Sequence, residues 1–66
     1  MAGETILKTV ERYVRESEAL ITRQKAVIKK LRQDAEPTEA AESLLRIFED
    51  TLAAQQRRAE RLKQRR

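Results

Sequence analysis

Residues 33–42 read QDAEPTEAAE, and this stretch divides the chain. Pro37 has no amide hydrogen to donate, and its ring disfavours helical geometry at Glu36. The Thr38 hydroxyl is suited to cap a following helix, and Glu39 and Glu42 fall where the positive end of a helix dipole favours carboxylates. Pro37 at the first helical position reads equally well, so the second helix starts near residue 37 or 38. Away from this break the pattern is uninterrupted: Pro37 is the single proline, and the single glycine is Gly3.

Before the break, apolar pairs recur every seven residues: Ile6-Leu7, Tyr13-Val14, Leu20-Ile21 and Val27-Ile28. Val10, Ser17, Gln24 and Leu31 fall between successive pairs. The result is one continuous stripe at helical spacing, wider than a two-stranded seam requires. After the break, Ala41, Leu45, Phe48, Leu52, Gln55, Ala59 and Leu62 alternate spacings of four and three, and Leu44, Ile47 and Thr51 widen that stripe.

These patterns predict an all-α chain forming one domain over residues 1–66: a helix over about 5–33, a turn over 34–37 and a helix over about 38–64. Two helices of roughly 28 residues, each about 42 Å long, joined by a short connection make an antiparallel, coiled-coil-like two-helix hairpin. With the turn centred near residue 36, Leu31 is expected to face Ala41. Gln24 then faces Phe48, Ser17 faces Gln55 and Val10 faces Leu62. One helix facing one helix shields only a narrow seam. Leu7, Val14, Ile21, Ile28, Leu44, Ile47 and Thr51 are therefore expected to form a self-association interface, with two hairpins dimerising into a four-helix bundle.

Composition points the same way. The chain has 66 residues, of which 39% are charged and 39% hydrophobic, a balance that suits long helices better than a disordered tail. A chain this short buries little surface on its own, and the absence of Cys and His removes disulfides and the usual structural zinc ligands. The same absences argue against catalysis, because acid–base and nucleophilic chemistry lean on those residue types. No enzyme activity and no cofactor are expected. The N-terminal residues lack the basic start and apolar run of a signal peptide, and no window is apolar enough to span a bilayer. A cytoplasmic location is the default expectation.

The net charge is +4. Arg57, Arg58, Arg61, Lys63, Arg65 and Arg66 crowd the C-terminal end, and Arg23, Lys25, Lys29, Lys30 and Arg32 form a second cluster. Either set suits an anion, and the C-terminal set offers an alternative function, phosphate contact on nucleic acid. Both also lie near helix C-termini, where cations complement the dipole, and the antiparallel register brings acidic residues beside them. Glu4→Lys8, Glu11→Arg15 and Glu42→Arg46 have favourable helix spacing. Fold-supporting charge is the stronger reading, since no helix-turn-helix, Gly-rich loop or aromatic platform accompanies the cations.

Ser17, Gln24 and Gln55 lie on the stripes the helices must bury. They read as a polar layer that penalises slipped pairings, because a buried polar group without a partner is costly.

The runs ESEALITRQKAVIKKL (16–31) and PTEAAESLLRIFEDTLAAQQRRAERL (37–62) together resemble small uncharacterised helical-hairpin proteins of rhizobial alphaproteobacteria. The resemblance is carried by Arg23-Gln24, Ile28, Leu31, Thr38, Leu44-Leu45, Phe48-Glu49 and Leu52. It departs at Ala35-Glu36-Pro37-Thr38, where a Gly-His-Asp-Thr type of turn is usual, and at Gln55 and Gln56, where His is frequent. It implies a helical hairpin and no particular activity.

Overall fold

The computed structural model describes the backbone of residues 2–64 and the side chains of residues 6–64. Two α-helices, α1 (Ala2–Gln33) and α2 (Glu39–Gln64), pack against each other as a hairpin, with no strand among the described residues. The Cα trace measures 51 × 14 × 12 Å. α1 starts three residues earlier than the periodicity predicts. Gly3 is tolerated there because first-turn amides have no partner within the helix. α2 starts one residue later than expected, because Thr38 is its N-cap: the Thr38 carbonyl accepts the first helical bond, from Glu42 N at 2.8 Å.

The turn closes by a device that the sequence does not advertise. Ala35 is left-handed, with φ of 56°. Glu36 N donates to Leu31 O at 2.8 Å and Ala35 N to Arg32 O at 3.1 Å. This paired pattern ends a helix with a left-handed residue that is usually Gly. Ala35 fills it at a steric cost on the order of 1 kcal/mol.

Burial assigns each helix position. In heptad letters, the a positions are Leu7, Val14, Ile21 and Ile28 on α1 and Leu45, Leu52 and Ala59 on α2. The d positions are Val10, Ser17, Gln24 and Leu31 on α1 and Ala41, Phe48, Gln55 and Leu62 on α2. Every one of these side chains is buried or half-buried, with Val10, Ile28 and Ala59 the most enclosed apolar residues. The other member of each α1 pair (Ile6, Tyr13, Leu20, Val27) occupies position g and is exposed. This corrects the expected outward row on α1. Leu7, Val14 and Ile21 are half-buried and Ile28 is 5% exposed, all turned into the hairpin rather than away from it.

The sequence distinguishes the two columns on α2 only. On α1 alone, the a and g columns are equally apolar and either forms a regular seam with d. On α2 the a column is Leu45, Leu52 and Ala59, whereas the g column is Leu44, Thr51 and Arg58. Facing α2 through a and d buries apolar side chains. Facing it through d and g would bury a guanidinium without a partner.

Candidate interaction face

The two long flanks of the hairpin differ in chemistry. One is formed by the e and b positions, which are polar apart from Ala53. Arg32 Nη2 donates to Glu42 Oε2 at 2.9 Å near the turn. At the open end Lys63 Nζ lies 3.9 Å from Glu11 Oε2. Each pair joins an e position of α1 to an e position of α2, and the two fix the relative height of the helices. The Thr38 hydroxyl also donates to Glu42 Oε2, at 3.0 Å. Chiefly through that hydrogen bond, and next through the Arg32 guanidinium, the Glu42 carboxyl is held below its ordinary pKa. Two shallow grooves open on this flank. The first, near the turn, is lined by Lys25, Lys29, Arg32 and Arg46 over Ile28 and Leu45, and the second by Glu11, Arg15, Gln56 and Lys63.

The opposite flank is formed by the g and c positions. On α1 its g positions are Ile6, Tyr13, Leu20 and Val27, each 40–45% exposed, and its c positions are Thr9, Glu16, Arg23 and Lys30. On α2 it carries Leu44, Ile47 and Thr51, all exposed, with Ile47 at 59%. Ala40 and Ala54 continue this column, and both are exposed. Ile6 shares a shallow depression with Arg58, Arg61 and Leu62, which places the g residues of both helices on one side. Of the residues expected at an interface, Leu44, Ile47 and Thr51 stand on this open face. Their α1 neighbours are Ile6, Tyr13, Leu20 and Val27, in place of the a column. The signal for them was present as the first member of each apolar pair.

The three polar residues do not form one bonded layer. Ser17 is 7% exposed. Gln24 Nε2 donates to the Ala41 carbonyl at 2.9 Å, one heptad nearer the turn than the Phe48 expected to face it. Gln55 Oε1 is buried with no hydrogen-bond partner, so it is not satisfied by the Ser17 expected opposite. Ser17 and Gln24 are one heptad apart, about 10 Å along the axis, and a long amide finds a main-chain carbonyl more readily than a distant side chain.

Among the described cations of the C-terminal cluster, Arg57, Arg58 and Arg61 are exposed, while Lys63 is engaged with Glu11. Arg65 and Arg66 lie outside the described residues, as does the side chain of Glu4 in the expected Glu4→Lys8 pair. The other two expected helix pairs give way to different partners. Glu11 meets Lys63 rather than Arg15, and Arg46 Nη2 donates to the Ser43 hydroxyl at 3.2 Å. Arg12–Glu16 at 3.9 Å is an ion pair within α1, and Lys30–Asp34 at 3.3 Å joins its last turn to the residue after it.

Among the described residues, no cluster of acidic side chains could hold a metal ion, and no helix is long and apolar enough to cross a membrane. No protein family, curated protein or solved structure matches the chain, so the residues themselves carry the functional reading.

Proposed function

We propose that this chain is a non-enzymatic, cytoplasmic interaction module whose hairpins self-associate into a four-helix bundle. One observation carries the reading: the exposed apolar row Ile6, Tyr13, Leu20 and Val27 of α1, joined near the turn by Leu44 and Ile47 of α2, on the flank opposite the cross-helix pairs Arg32–Glu42 and Glu11–Lys63. A second copy suits this face in size. Its length and width, 51 and 14 Å, give on the order of 700 Å², close to the roughly 800 Å² per partner of a standard interface. A second copy also suits it in pattern, since α1 repeats its exposed apolar residues at heptad spacing, as bundle seams require. Sedimentation equilibrium tests the proposal. A dimer at micromolar concentration is expected, and a monomer at high micromolar concentration overturns it.

The alternative reading, a small basic nucleic-acid-binding protein, is favoured by the exposure of Arg57, Arg58 and Arg61 near the end of α2. It requires measurable DNA or RNA binding at low salt that weakens steeply as salt rises. Absence of binding at low salt removes it.

A further inference from the structure

Self-association leaves open how two copies face each other, and the arrangement of residues on the g/c face chooses between the possibilities. The choice rests on the dimeric reading above. Two hairpins can place the same face together about a two-fold axis in only two ways. With the axis along the hairpin, both turns lie at one end, and each α1 meets its partner's α2. With the axis across it, the turns lie at opposite ends, α1 meets α1 and α2 meets α2.

The two arrangements bring different residues together. On α2 the exposed apolar side chains, Leu44 and Ile47, occupy the half near the turn, and Arg57, Arg58 and Arg61 occupy the other half. Opposed turns lay the apolar half of one α2 against the arginine half of the other. Matching the apolar rows of the two α1 helices, with Ile6 near Val27 and Tyr13 near Leu20, then sets Arg12 near the partner's Arg23. Both consequences are unfavourable, because they desolvate cations against apolar surface and bring like charges together.

Turns at one end keep the apolar residues near the turns together, while Tyr13 lies at the height of the partner's Arg58. A two-fold axis along the bundle keeps every residue at its own height, so α1 meets the partner's α2 in the register already set within the hairpin by Arg32–Glu42 and Glu11–Lys63. Val27 then meets Leu44 and Ile47, and Leu20 meets Thr51 and Ala54. On the outer rim the same heights bring Arg23 opposite Asp50 and Glu16 opposite Arg57, each twice by symmetry. Arg23, Asp50 and Arg57 are all exposed, and none is in an ion pair among the described residues. Glu16 has only a long 3.9 Å contact with Arg12.

We infer that the partner of the g/c face is a second copy of this chain with its turn at the same end, each α1 antiparallel to the other copy's α2. The rim pairs Arg23–Asp50 and Glu16–Arg57 select this orientation over its opposite.

The absence of cysteine makes a direct measurement possible. Glu36→Cys places a single nitroxide on the exposed turn of each copy, and pulsed electron–electron dipolar spectroscopy reads the distance between them. Turns at one end give a distance below about 25 Å, roughly two helix diameters plus linkers. Turns at opposite ends give a distance near the 51 Å length of the hairpin and overturn the inference while leaving the dimer intact. Sedimentation of the same labelled sample separates this failure from the other: a monomer removes both proposals. Charge reversal is the second measure. Arg23→Asp or Asp50→Arg alone is expected to weaken dimerisation about tenfold over the two symmetric sites, and the double variant to recover most of it. Double and single variants of equal affinity overturn the assignment of the pair.

Discussion

The e/b and g/c flanks are built from the same two helices, at the same heights, yet they have opposite characters. The e/b flank ties α1 to α2 with opposite charges at both ends and leaves no large apolar side chain fully open. The g/c flank exposes Ile6, Tyr13, Leu20, Val27, Leu44 and Ile47 and has no cross-helix ion pair among its described residues. Exposed ion pairs contribute little to stability, typically under about 1 kcal/mol. The e/b flank therefore acts mainly on register, whereas the apolar surface of the g/c flank gains free energy only when something covers it.

The largest test of this difference sets a seam residue beside its neighbour on the face. Ile28→Ala should destabilise the hairpin by roughly 2–4 kcal/mol, read by urea unfolding followed by circular dichroism. Leu20→Ala should change the unfolding of the isolated hairpin by less than about 1 kcal/mol and act on association instead, raising the dimer dissociation constant at least tenfold in sedimentation. Equal effects of the two substitutions on both measurements would erase the distinction between seam and face.

Next in size is Gln55→Leu. Its carbonyl oxygen is buried without a partner, and removing an unsatisfied group of that kind should stabilise the hairpin by about 1 kcal/mol. A loss of stability would mean that Gln55 is satisfied in solution. Of similar or smaller size is Ala35→Gly, which relieves the left-handed residue at the end of α1. A gain of about 0.5–1 kcal/mol in thermal or urea unfolding is expected, and a loss would place the turn in another conformation.

The smallest effect concerns the charged flank. Because the folded-state pKa of Glu42 lies below its unfolded value, its contribution is complete above the ordinary carboxylate range. It fades as pH falls through the lowered folded value. Wild type should therefore lose more stability than Glu42→Gln when unfolding is followed from neutral pH into the acid range. Parallel pH profiles would show that the Thr38 and Arg32 contacts do not bias Glu42 in solution.

Much of the fold was legible because it depends on local rules. Pro37 and Thr38 announced the turn, and heptad spacing announced both helices. The position of Ala35 was not legible, since a left-handed helix end is normally signalled by Gly or Asn. The polar residues were identified as stripe positions, but their partners were not. Gln24 found a main-chain carbonyl, which no side-chain pattern encodes. Of the residues expected to face outward, Leu44, Ile47 and Thr51 are exposed on α2, while on α1 the a column turns into the hairpin.

By itself the sequence determined two amphipathic helices, one break and more apolar stripe than one seam can bury. Those follow from periodicity and backbone geometry, which act over a few residues. Only the packing of α1 on α2 decided which member of each apolar pair turned inward. On α1 the a and g columns are nearly equivalent in hydrophobicity, so nothing local distinguishes them. On α2, Arg58 and Thr51 in the g column make a and d the face to bury, and packing on that face turned the a column of α1 inward.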